Sequence, residues 1–153
     1  MSEVEKLRST LASASRVHVD ASVLALHMAG DRRYTPFTRA LLEMLADGEI
    51  SASTSALSIY QLLVEAYRRG ESDTAATAER YLTTVPGLDV IDLTPPIARQ
   101  ASQVRAQLGG SLERAVQIAT GLSRGAHVYL TRRSAFRRVA GMSVESMELF
   151  AEP

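Results

Sequence analysis

The chain alternates short β-like runs with helical stretches longer than ten residues, and this alternation restricts its fold more than any other feature. Residues 16–19, 50–52, 88–93 and 126–130 read as strands, with 144–149 as a fifth. Between them the apolar period lengthens towards 3.6. A helix over 35–46 is closed by Asp47-Gly48, and one over 54–69 by Gly70, whose residue type tolerates a left-handed cap. Asp73 is placed to cap a helix running to about 83. Thr94-Pro95-Pro96 sets a capping hydroxyl before prolines suited to a first turn, opening a helix to about 108. Gly109-Gly110 breaks it, Ser111 starts the next and Gly125 ends that one. The order reads βαβααβααβ with a final strand. Such long helical spacers predict a parallel sheet covered on both faces, with ligands beyond the carboxyl ends of the strands.

Length confines this pattern to one domain: 153 residues and 16.6 kDa suffice to bury about two-thirds of the unfolded surface without disulfides or metal. About fourteen loosely held N-terminal residues are expected as an extension over 1–14, before a single domain over 15–153. With 46% hydrophobic and 22% charged residues, and no apolar run near the roughly 20 residues of a membrane span, neither disorder nor membrane insertion is expected. The absence of cysteine excludes thiolate zinc sites, iron–sulfur clusters and cysteine nucleophiles. The start MSEVEKLR carries acids where a secretory signal carries bases, so a cytoplasmic location is expected.

Net charge is zero, yet its distribution is uneven. Residues 97–138 hold eight arginines, Arg99, Arg105, Arg114, Arg124, Arg132, Arg133, Arg137 and Arg138, against the lone acid Glu113. That surplus of seven positive charges suits either an anion-binding face or an intramolecular match to acidic segments elsewhere.

The first strand ends in a carboxylate, Arg16-Val17-His18-Val19-Asp20, followed by Ala21-Ser22-Val23-Leu24 entering a helix. An Asp at such a junction serves as a helix N-cap or as a site residue. The run VHVDASVLAL, then SALSIYQLLVEAYRRG over 55–70, then LERAVQIATGLSRGAHVYLTRRSAF over 112–136, resembles the three signature blocks of the PIN-domain family, particularly the VapC-like toxin ribonucleases. The resemblance covers about residues 16–149 and rests on the order, spacing and strand–helix context of the blocks. It implies a three-layer α/β/α sandwich around a mostly parallel sheet. It also implies three or four acids gathered at one pocket to hold Mg²⁺ or Mn²⁺ for phosphodiester hydrolysis.

Asp20 matches the first acid of that pattern, and Ser22 the small hydroxyl residue that usually follows it. At the second acid stands Gln61. The third normally opens a DAxxxATA helix, whose counterpart here is Arg114-Ala115-Val116-Gln117-Ile118-Ala119-Thr120-Gly121. The fourth lies in a TxD, matched by Thr131-Arg132-Arg133. One Gln and two Arg replacements turn a formal −4 cluster into −1 plus +2. A divalent cation needs several oxygen donors, and nearby guanidiniums repel it, so loss of metal binding is expected, with bidentate pairing of Asp20 to Arg114 or Arg133 in its place. Two acids are weighed as substitutes. Glu113 projects about 100° from position 114 on a helix, and turning it inward would move Ala115, Ile118, Ala119 and Leu122 off the core face. Glu65 lies one turn beyond Gln61 on the same helical face and is better placed.

Other chemistries leave weaker traces. His18, His27 and His127 show no HxxxH or HxH spacing and are expected to pack rather than to ligate. No GxxxxGK[ST], GxGxxG or GxSxG occurs. Tyr60 and Tyr67, seven apart on one helical face with Leu63 and Val64, suit core or dimer packing. Arg132, Arg133, Arg137 and Arg138 suit a phosphate backbone or a solvated face. Three functions therefore compete: a catalytically degenerate PIN-like protein that keeps nucleic-acid or partner binding and needs no cofactor; a divergent Mg²⁺- or Mn²⁺-dependent endoribonuclease toxin using Asp20 with Glu65 or Glu113; and a protein-binding scaffold or homodimerisation module. RNA, an antitoxin protein and a second copy are the partners the resemblance implies.

Overall fold

The computed structural model describes residues 1–152; Pro153, the last residue of the expected domain, lies outside them. The helices α1 (Glu3–Ala14), α2 (Ala21–Ala29), α3 (Thr35–Ala46), α4 (Leu57–Arg68), α5 (Ser72–Thr84), α6 (Pro95–Leu108), α7 (Leu112–Ser123) and α8 (Met147–Ala151) surround one sheet. Its strands are β1 (Arg16–Val19), β2 (Ser51–Ser55), β3 (Leu88–Ile91), β4 (Val128–Thr131), β5 (Arg138–Val139) and β6 (Met142–Ser146). They lie in the order β3-β2-β1-β4-β6-β5, all parallel except the hairpin of β5 and β6. This is the mostly parallel three-layer α/β/α arrangement that the alternation and the resemblance predict.

Side chains alternate through the sheet into two cores. Val17, Val19, Val128 and Leu130 pack towards Leu7, Leu11, Leu24, Leu41, Met44 and Met147, whereas Tyr129, Val144, Ile97, Ile118 and Ala119 form the core of the opposite layer. The direction of sheet growth reverses between β1 and β4, so a crevice opens beyond their carboxyl ends. Asp20 follows the first of these strands and Thr131 closes the second.

Four differences from the sequence reading have physical causes. The first fourteen residues are not loosely held. Ser2 and Glu5 form a capping box on α1, and Leu7 and Leu11 are fully buried, so the expected extension is part of the core. The first crossover carries two helices, α2 and α3, separated by the αL residue Gly30 and the turn that follows it. Thr54 and Ser55 belong to β2 rather than to the following helix, because they pair with Val90 and Ile91. The final strand stops at Ser146, where Met147 turns inward to open α8.

Candidate functional site

Asp20 caps α2 by accepting the Ser22 amide on Oδ1, and the Ser22 hydroxyl donates to the same oxygen. Its Oδ2 accepts the Tyr129 phenol at 2.9 Å and the Thr131 hydroxyl at 2.8 Å. A carboxylate offers about four acceptor positions, and here four protein donors take them. Burial, together with the charge of Asp20, pushes the Tyr129 phenol well above its ordinary pKa, which keeps it a donor. The Arg132 amide in turn donates to the Ser22 hydroxyl at 3.0 Å. Asp20 is 8% exposed, so the carboxylate is anchored from its own helix and from β4 with little solvent contact.

The expected pairing of Asp20 with arginine does not occur. Arg133 instead holds Glu148 in a bidentate pair, Nε to Oε2 at 2.8 Å and Nη2 to Oε1 at 2.9 Å. Those hydrogen bonds hold the Glu148 carboxyl below its usual pKa. Arg114 donates from Nη2 to the Arg133 carbonyl, and its guanidinium lies 5.6 Å over the Phe136 ring. Arg132 lies over the Tyr34 ring and approaches Glu148 at 3.4 Å. The physical reason is that four neutral or amide donors already satisfy Asp20, leaving a free carboxylate on α8 as the better partner for a guanidinium.

Beside Asp20 a cavity of about 400 Å³ is lined by Gln61, Gln117, Ser111, Glu113 and the three guanidinium side chains of Arg114, Arg132 and Arg133. Glu113 lines this cavity although Ala115, Ile118 and Ala119 keep their core face, which corrects its expected outward position. Glu65 does not take part. It is exposed, pairs with Arg68 and lies outside the cavity lining. Arg137 and Arg138 line a neighbouring cavity with Glu145 and Glu152, and Arg133 lines both.

Below the cavity runs a polar network that the sequence reading did not single out. His18 is fully buried; Ser53 donates to its Nδ1 at 2.9 Å, and its Nε2 donates to Gln117 Oε1 at 2.8 Å. That tautomer follows from the acceptor oxygen on Gln117, whose amide nitrogen donates onward to Ser58 and to Gln61 Oε1. Burial lowers the His18 pKa to about 4, so the ring is neutral. The ring also stacks on Tyr129 at 5.4 Å. The available sequence signals were His18 between two valines of β1 and Gln117, an amide on the apolar face of α7. Tyr60 and Tyr67 are not core residues, being 57% and 58% exposed on α4.

The donor set does not fit the divalent cation that the four-acid pattern implies. Both Asp20 oxygens are engaged, Gln61 Oε1 accepts from Gln117, and no cluster of three His, Cys, Asp or Glu side chains able to hold a metal occurs among the described residues. The lining suits an anion better, because it carries three arginines against the two acids Asp20 and Glu113.

The comparisons agree with the fold. No curated protein matches the chain. A toxin–antitoxin complex from Klebsiella pneumoniae is similar at a TM-score of 0.62 and 17% identity, covering 86% of this chain and 97% of that one. VapBC2 from Rickettsia felis, solved with a DNA fragment from its promoter, gives 0.67 and 12% over 86% of this chain and 98% of that one. VapC20 from Mycobacterium tuberculosis, a sarcin-ricin loop cleaving toxin, gives 0.58 and 20% over 74% and 86%. The PIN domain model matches residues 17–142, from the middle of β1 to the start of β6, and the chain therefore belongs to the PIN-domain family.

Proposed function

We propose that this PIN-domain protein binds RNA through its arginine-lined pocket and has lost metal-dependent cleavage. The observation that carries the reading is the state of Asp20: four protein donors occupy its two oxygens while Arg114, Arg132 and Arg133 line the same cavity. A phosphate group would find guanidinium donors there, whereas Mg²⁺ would meet positive charge and an already satisfied carboxylate. Relatives of the same fold are described as toxin–antitoxin complexes, as bound to promoter DNA and as cleaving the sarcin-ricin loop, which supports nucleic-acid and antitoxin partners. A divergent endoribonuclease would have to rely on Asp20 with Glu113, since Glu65 points away.

Fluorescence anisotropy with a short single-stranded RNA, run with and without Mg²⁺ or Mn²⁺, tests the reading. Binding should weaken with salt at a log–log slope of about −2, the value for three phosphate contacts on a single strand. Neither metal should yield cleavage products or raise the melting temperature. Metal-dependent products that vanish in Asp20→Asn would overturn the reading.

The exposed face of α4 favours a second, compatible role in partner binding. Ile59, Tyr60, Leu63, Val64 and Tyr67 line a shallow apolar cavity of about 290 Å³ there, a surface suited to a second copy of the chain. Light scattering should give a dimer mass that Tyr60→Ser with Tyr67→Ser reduces to a monomer; a wild-type monomer would count against it.

A further inference from the structure

We infer that Arg133, with Arg132, forms a phosphate seat which Glu148 fills as an internal stand-in, so that the pocket admits RNA ending in a phosphate monoester in preference to an uninterrupted diester strand. This inference rests on the RNA-binding reading above.

The geometry of the Arg133–Glu148 contact is that of a guanidinium on a planar oxyanion, with two parallel N–H donors reaching two oxygens at 2.8 and 2.9 Å. Burial is uneven across the pair: Glu148 is 20% exposed and Arg133 75%. The carboxylate is thus the fixed half and the arginine the movable one. Glu148 is also tied through its backbone, its amide donating to the Arg132 carbonyl at 3.1 Å. The Arg132 amide is held by Ser22, which places both arginines beside Asp20. Arg133 lines the cavity next to Asp20 and also the neighbouring one that contains Glu148, so it stands at the wall between them.

The guanidinium side of this pair is open to solvent, so a ligand of higher charge can compete with Glu148 for it. The charge of the ligand decides which one does. A diester phosphate carries one negative charge, the same as Glu148, and must also offset the entropy of association that the internal carboxylate does not face. A monoester carries about 1.5 to 2 negative charges and three acceptor oxygens, enough to engage Arg132, which already approaches Glu148 at 3.4 Å, besides Arg133. Glu148 thereby acts as a threshold that the terminal phosphate passes and the diester does not.

The test uses three internally labelled RNAs of one sequence, ending in a 5′-phosphate, a 3′-phosphate or hydroxyls only. They are titrated into wild type, Glu148→Gln and Arg133→Gln, each checked for an unchanged circular dichroism spectrum. Wild type should prefer one phosphorylated RNA over the hydroxyl-ended one by about tenfold, or 1.4 kcal/mol. Glu148→Gln should tighten the hydroxyl-ended RNA and narrow the preference to within about threefold. Arg133→Gln should lose it. Equal wild-type binding of all three RNAs, or a preference unchanged in Glu148→Gln, overturns the inference while leaving RNA binding intact. Absence of binding by wild type and Glu148→Gln alike overturns the RNA-binding reading and the inference with it.

Discussion

A Cβ placed on Gly121 would meet the Cβ of His18 at 2.8 Å and its Cγ at 3.0 Å, so α7 rests on β1 only because position 121 lacks a side chain. Gly121 has no positive φ and sits inside the helix, where Gly→Ala ordinarily stabilises by roughly 1 kcal/mol. The contact here is with the root of the His18 side chain, which cannot swing aside, and overpacking costs about 1–3 kcal/mol. Gly121→Ala is therefore expected to lower stability in urea unfolding. A rise would show that the helix shifts freely over the sheet.

His18 makes stability depend on pH. Its folded pKa, about 4, lies below the unfolded value of 6.5, so between these limits the unfolded chain binds more protons. The contribution of the neutral ring is fully present above about pH 6.5 and is lost as pH falls towards 4. At 1.36 kcal/mol per unit this amounts to roughly 3 kcal/mol. Unfolding free energies measured between pH 7 and 4.5 should fall more steeply for wild type than for His18→Gln. Parallel curves would refute the assignment.

Elements with strong local signals were legible in the sequence. The helices Thr35–Ala46 and Pro95–Leu108 match their predicted bounds, the latter because the Thr94 hydroxyl accepts the Ile97 amide ahead of two prolines. Asp20 was legible from its place at a strand end. The partners of the arginines were not, since which acid captures Arg133 depends on α8 returning beside β4, a tertiary event. Gln117 and His18 are also hard to read. Each is a single polar residue within an apolar run, and the match between them appears only when β1 and α7 are packed.

Helix α1 supplies the next expectation. Its sequence, EVEKLRSTLASA, is mostly polar, but Leu7, Leu11 and Ala14 fall on one face and enter the main core against α3 and α8. Leu11 has no exposed surface. Truncation of such a buried leucine costs about 2–5 kcal/mol, so Leu11→Ala should reduce stability by that amount in chemical denaturation. A change under about 0.5 kcal/mol, typical of surface positions, would mean that α1 is dispensable to the fold.

Asp20→Asn separates a structural carboxylate from a metal-binding one. In a metal site, removing the charge abolishes the cation's effect and relieves repulsion among acids, so the metal-free protein keeps or gains stability. Here the carboxylate accepts from Ser22, Tyr129 and Thr131. An amide NH₂ in place of either oxygen turns at least one of these donors against another donor. Tyr129 and Thr131 are both buried and cannot turn to water without opening the end of β4. Leaving a buried donor without an acceptor costs about 1–3 kcal/mol, more when the lost acceptor was charged. Asp20→Asn should therefore melt earlier than wild type in buffer with EDTA, and addition of Mg²⁺ should leave the gap between the two proteins unchanged. In the Tyr129→Phe background the penalty should shrink, because one donor to Oδ2 has already been removed. Equal melting of Asp20→Asn and wild type in EDTA, with a gap that opens only on adding Mg²⁺, would assign Asp20 to a cation instead.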